Sequence, residues 1–203
     1  MNELREKTLI ELFKALNGLY GPTYECKYYP CHFEGQDCSF CYCPFYPCLI
    51  CDLGEIKVSS SGNYIWSCKD CNWIHEKKNA ELIIQTLSSF PRQQLIEGDW
   101  MFYNKILQEL LFGEEIGEYY GNSYSIMPIM LKKDFEVIDK AEFLAVRVED
   151  FDIVNVRKID NVKDAENEIL IPLKVNNKLY GFADGKYLVC LLDHDSDNIE
   201  KTE

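Results

Sequence analysis

Basic residues are scarce in this 203-residue sequence: 21 Lys and Arg stand against 34 Asp and Glu, a net charge of -13. Nucleic acids are held chiefly through their phosphates, which requires a basic footprint, so that class of partner is not expected. The deficit is uneven. Residues 1–95 carry nine basic against eleven acidic side chains, and the other 108 carry twelve against twenty-three. Long apolar runs are missing too. The longest charge-free stretch lies between Asp37 and Asp52, and two prolines and five cysteines interrupt it, so no membrane span is expected. The N-terminal MNELREKTLIELFKALNG has neither an apolar core nor a small-residue cleavage site, which reads as a cytoplasmic protein without a signal peptide. There is no phosphate-cradling glycine loop, no Gly-x-Ser-x-Gly and no His-Glu-x-x-His, so no autonomous catalytic constellation is found and enzyme status stays open. Asp193-His194-Asp195-Ser196-Asp197 fails as a calcium loop because its sixth position is Asn198, not glycine.

Cysteine, by contrast, is abundant and clustered. Nine of the ten cysteines and two of the three histidines fall between Cys26 and His75. In a reducing compartment such clustering means metal rather than disulfides. Three Cys-x-x-Cys pairs stand in series, Cys38/Cys41, Cys48/Cys51 and Cys68/Cys71, and each tight turn can aim two thiolates at one ion. Cys48-x2-Cys51-x16-Cys68-x2-Cys71 has the spacing of a four-cysteine zinc site. Cys26, Cys31, His32, Cys38, Cys41, Cys43 and His75 remain as candidates for a second centre. The expected partition joins Cys48/Cys51 to Cys68/Cys71, and Cys38/Cys41 to two of Cys26, Cys31, His32 and Cys43, with His75 as a substitute for Cys51. Two zinc ions are favoured. An iron-sulfur cluster is the rival, because Cys38-x2-Cys41-x-Cys43-Pro44 carries a dense Cys-Pro step, although its spacing departs from the ferredoxin run. The seven aromatics between Tyr28 and Tyr46 are read as walls of the metal centres. Cys190 is expected to be a buried thiol without a role in metal binding.

The same stretch resembles the cysteine-rich small domain family, a metal-binding module, over roughly residues 24–88. The residues that carry the likeness are Tyr28-Tyr29-Pro30-Cys31-His32-Phe33, Asp37-Cys38-Ser39-Phe40-Cys41-Tyr42-Cys43-Pro44-Phe45-Tyr46-Pro47-Cys48, and Trp66-Ser67-Cys68-Lys69-Asp70-Cys71 with His75. The resemblance implies an archaeal or anaerobic setting and a link to cobamide biosynthesis, since such domains occur alone or fused to enzymes of that pathway. It also implies a protein partner, possible candidates being those enzymes. One departure is that the glycines expected after the Cys48 turn are reduced to Gly54.

Around this stretch the pattern predicts an α+β protein in two domains. Residues 1–95 form a metal-stabilised cysteine-rich domain with flanking helices, and residues 96–203 a helix with an antiparallel sheet or open barrel. Leu9, Leu12, Phe13 and Leu16 stripe a helix over residues 3–17 that packs on the metal domain. Glu55–Trp66 reads as a hairpin turning at Ser59–Asn63, and a helix runs from about His75 to before Pro91. Pro91–Asp99 reads as a hinge, with Asp99 capping the next helix. Strands are expected at Tyr124–Leu131, Phe135–Ile138, Glu142–Val148, Phe151–Ile159, Ile169–Val175, Leu179–Ala183 and Tyr187–Leu192, followed by a polar tail.

Overall fold

The computed structural model describes residues 3–50, 53–112, 143–160, 164–165 and 168–172. The expected strands at 124–131, 135–138, 179–183 and 187–192, the tail, Cys51 and Cys190 lie outside the described residues. What is described is an α+β fold whose N-terminal part is the cysteine-rich segment.

Helix α1 (Glu3–Ala15) buries Leu9 and Leu12 of the predicted stripe and packs its Phe13 and the following Leu16 partly against the core, and it also buries Arg5, Thr8 and Ala15. It stops two residues short of the expected end. There the Asn17 side chain donates to the Phe13 carbonyl at 2.8 Å, and Gly18 takes a φ of 145° that a side chain would resist. The long loop that follows has little regular structure and is held by side-chain bonds to backbone. Strands β1 (Glu55–Val58) and β2 (Tyr64–Ser67) form the expected hairpin, in register Glu55↔Ser67 to Val58↔Tyr64. At its turn the Ser59 hydroxyl accepts from the Asn63 N–H, and Gly62 sits at φ 85°.

A 3₁₀ turn at Trp73–His75 leads into α2 (Lys77–Leu87), whose Ala80, Ile83 and Leu87 are fully buried. Each large aliphatic side chain so placed contributes about 1.5–3 kcal/mol over leaving it in water. The expected hinge at Pro91–Asp99 is not a free linker. It forms a short helix, α3 (Arg92–Glu97), because Leu95 is drawn into the core and its carbonyl accepts from both Arg5 and the Tyr103 hydroxyl. Asp99 does cap α4 (Trp100–Phe112), its carboxylate accepting from the Phe102 N–H at 2.8 Å.

β3 (Phe143–Glu149), β4 (Asp152–Ile159) and β5 (Ile169–Pro172) make an antiparallel sheet in the order β4-β3-β5. The β3–β4 turn places Asp150 and Phe151 at φ 51° and 68°, so the expected strand start at Phe151 shifts to Asp152. Phe151 is thereby turned inward against Arg5, whose guanidinium lies 4.1 Å from its ring centre and 4.2 Å from that of Tyr103. One buried cluster joins Leu12 of α1, Phe40 and Phe45 of the cysteine loop, Leu95, Tyr103 of α4 and Val146 of β3.

Candidate metal centre

The loop between α1 and β1 is laced at Gln36, Asp37 and Ser39, all almost completely buried. The Asp37 carboxylate accepts from the N–H groups of Ser39 (2.8 Å) and Gly21 (3.2 Å), and the Ser39 hydroxyl accepts from the Tyr20 N–H at 2.8 Å. Backbone bonds add Cys38 N–H to the Gly21 carbonyl and Asp37 N–H to the His75 carbonyl. The Gln36 amide oxygen accepts from the His32 and Phe33 N–H groups at 2.8 and 3.2 Å. That fixes its nitrogen toward sulfur, 3.0 Å from Cys31 Sγ and 3.8 Å from Cys38 Sγ.

The eight described cysteines are free thiols, and they gather along two cavities, with Cys41 on both. Cys43, Cys48, Cys68 and Cys71 form the inner set. Burial is the main cause that pushes the Cys43 thiol well above its ordinary pKa, and the nearby Cys68, Cys48 and Cys71 add repulsion. Burial followed by the Cys68 charge raises Cys48 in the same way. Burial and then Cys71 push Cys68 up to about 12. Backbone N–H groups pull the other way: Phe45 on Cys43, Ile50 on Cys48, and Ile74 and Trp73 on Cys71. Such N–H···S bonds favour thiolate, as a sulfur-coordinated cation requires. The Trp66 indole N–H has no full hydrogen bond among the described groups, yet it too favours the Cys48 thiolate.

Cys26, Cys31, Cys38 and Cys41 form the outer set. Burial pushes the Cys41 thiol up to about 11, with Cys38, Cys31 and Cys26 adding repulsion. Its Sγ donates to the Cys38 carbonyl at 3.3 Å, closing the Cys-x-x-Cys turn. His32 and His75 stack with ring centres 4.3 Å apart and line the cavities beside both sets. His75 Nδ1 lies 2.9 Å from the Asp37 carbonyl, which can only accept, so the proton is on Nδ1 and the Nε2 lone pair is left for another partner. His32 Nδ1 is buried with no hydrogen-bond partner among the described groups. Burial holds the pKa of both rings below the usual histidine value, which keeps them neutral donors at pH 7.

As placed, no three Cys, His, Asp or Glu side chains among the described residues stand in an arrangement that could hold a metal ion. The donor chemistry nevertheless fits a thiophilic cation. Burial opposes ionisation of Cys41, Cys43, Cys48, Cys68 and Cys71, and neighbouring cysteines add to it at Cys41, Cys43, Cys48 and Cys68; a divalent ion relieves both penalties at once. Cys43, one of the four candidates to complete the Cys38/Cys41 centre, stands near Cys48, Cys68 and Cys71 on a cavity that Cys41 also lines, and Cys51 lies outside the described residues. Nothing in the sequence hinted at Gln36, whose partners are two backbone N–H groups and two sulfurs rather than a repeated motif, while Asp37 and Trp66 stood in the family likeness without a role.

Residues 19–94 match the model of the cysteine-rich small domain, so this segment is such a domain. Two curated proteins match the chain. The chain is 49% identical over 67 residues to a "Probable cobalt-factor III C(17)-methyltransferase" of Methanothermobacter thermautotrophicus, covering 33% of this chain and 18% of that protein. It is 43% identical over 77 residues to an uncharacterized protein of Methanocaldococcus jannaschii, covering 38% of this chain and 65% of that one. The chain thus spans less than two thirds of either relative. No solved structure matches it.

Proposed function

We propose that the protein is a metal-binding accessory protein that holds two zinc ions, one on Cys43, Cys48, Cys68 and Cys71, the other on Cys26, Cys31, Cys38 and Cys41 with His32 or His75 able to substitute. The observation that carries this reading is the gathering of the eight described thiols along two cavities, Cys43, Cys48, Cys68 and Cys71 on one, Cys26, Cys31 and Cys38 on the other, and Cys41 on both. Four sulfurs per ion is the usual complement of a closed zinc site. Bound zinc would supply charge neutralisation and cross-linking in a loop with little regular structure, and so much of the folding free energy of residues 19–94.

We further propose that the protein works beside enzymes of cobamide biosynthesis in the cytoplasm, as a partner rather than as an autonomous catalyst. What supports this is the 67-residue likeness to a protein named as a probable cobalt-factor III methyltransferase. Among the described residues no helix is long and apolar enough to cross a membrane. The alternative is an iron-sulfur component of the same metabolism, favoured by the same density of thiols.

Metal analysis with a visible spectrum, on protein purified without oxygen, separates the two. A colourless protein with about two zinc per chain is expected, because zinc is redox-silent and has no d–d absorption. A brown protein with iron and acid-labile sulfide would replace zinc by the cluster. Deletion of the gene should lower cobamide production, and an unaffected mutant would remove the pathway assignment.

A further inference from the structure

Cys48 sits on a stretch of backbone that needs help to hold its shape. The next residue, Leu49, takes a φ of 54° although it is not a glycine, and its side chain is buried. A leucine in the left-handed region is strained and stays there only when its surroundings hold it. Much of that hold comes from α4, which lies beyond the residues 19–94 that match the family. The Trp100 indole N–H donates to the Pro47 carbonyl at 2.7 Å, and the Asn104 amide donates to the Cys48 carbonyl at 2.9 Å. One helix thus grips the two consecutive carbonyls that precede the strained residue. Farther along the same helix, Leu107 joins Cys43, Cys48, Cys68 and Cys71 in the wall of a cavity of about 390 Å³. Asn104 is fully buried, yet its Oδ1 has no hydrogen-bond partner among the described groups. An apolar side chain of the same size would avoid that penalty, so what the amide contributes is its N–H on Cys48.

We infer that α4 is a clamp on the turn from Pro47 to Leu49, and that its docking decides whether the Cys48 thiol faces the cysteine cavity or solvent. That cavity is the site under the function proposed above, but the clamp acts on the thiol with or without an ion. With α4 docked, Leu49 is held left-handed and Cys48 lines the cavity beside Cys43, Cys68 and Cys71. With α4 lifted, both carbonyls return to water, Leu49 relaxes to negative φ, and Cys48 swings outward. The linkage is reciprocal: whatever grips the thiols of this cavity tightens α4, and whatever draws α4 away opens the site. A helix outside the family segment is thereby a control element of the cysteine module.

The test follows alkylation by iodoacetamide of the full chain, as purified without oxygen, with each cysteine read by peptide mass spectrometry. Asn104→Leu keeps the volume and removes the donor. Loss of one such hydrogen bond shifts an equilibrium by about five- to thirtyfold, and Cys48 should be labelled faster by that factor. Cys38, buried on the other cavity, should keep the parent rate, which separates release of the clamp from general loss of stability. Trp100→Phe gives up only the Pro47 bond and should act on the same thiol, so it carries the comparison if Asn104→Leu does not fold. In the reverse direction, α4 amides should exchange hydrogen faster once Cys48 is alkylated. An unchanged Cys48 rate, equal acceleration of Cys38, or α4 exchange indifferent to alkylation would overturn the clamp. None of these results bears on the two-zinc reading, which the metal analysis above decides separately.

Discussion

Gln36 shows how a single neutral side chain can organise a cluster of sulfurs. It is completely buried, and its amide oxygen satisfies two backbone N–H groups while its nitrogen faces Cys31 and Cys38. Gln36→Leu fills similar space but strands the His32 and Phe33 N–H groups, each at about 1–3 kcal/mol, so the thermal midpoint of the zinc-loaded protein should fall by several degrees. Gln36→Glu keeps the acceptor and should be milder on folding, but it turns a carboxylate oxygen toward the two sulfurs and should weaken zinc uptake at the outer set. Equal melting of Gln36→Leu and the parent protein would remove this role. Gly54 gives a second residue-scale expectation. A Cβ there would stand 2.5 Å from the Ser67 carbonyl oxygen and 2.7 Å from the Trp66 indole nitrogen, so Gly54→Ala must shift β2 beside the inner set. Overpacking of this kind costs about 1–3 kcal/mol, measurable by chemical denaturation, and an unchanged midpoint would contradict it. The cysteines were legible in the sequence because tight-turn chemistry imposes their spacing. Gln36 was not, because its side chain joins backbone N–H groups to sulfurs and such polar pairing leaves no period in the chain; nor was the role of Asp37, whose partners include the distant Gly21 and His75.

At the scale of elements, α4 does more than begin a second half. Its Trp100 and Asn104 reach the carbonyls of Pro47 and Cys48, which brace the inner set. Asn104→Ala leaves the Cys48 carbonyl unpaired in the core, and a loss of about 1–3 kcal/mol is expected in denaturant unfolding of the zinc-loaded protein. Trp100→Phe should act in the same direction through Pro47. An effect confined to the sheet, with the cysteine segment unfolding as before, would contradict this bracing. Hairpin β1–β2, the stripe of α1 and the Asp99 cap of α4 were all readable, because each depends on residues within a few positions of one another. Helix α3 was not, since Pro91 and Gly98 look like a linker until Leu95 meets Arg5 and Tyr103. Nor was the left-handed turn at Asp150 and Phe151, because neither residue is a glycine; the ring of Phe151 offsets that conformation by packing on Arg5 and Tyr103.

Over the whole molecule, the buried cluster crosses the point where the sequence suggested a boundary between residues 1–95 and 96–203. Native-state proteolysis tests that division. A core continuous from Leu12 to Tyr103 and Val146 should protect residues 91–99, and two stable fragments released by a cut there would support the two domains that the sequence suggests. The cysteine segment itself has few regular elements and leans on its sulfur clusters, so the central claim is the partition of those sulfurs between two ions. Native mass spectrometry of the intact protein, with Cys43→Ser and Cys41→Ser beside it, measures this most directly. The account predicts two zinc ions in the parent and one in each variant. Two zinc ions retained by Cys43→Ser, or none in the parent, would contradict it.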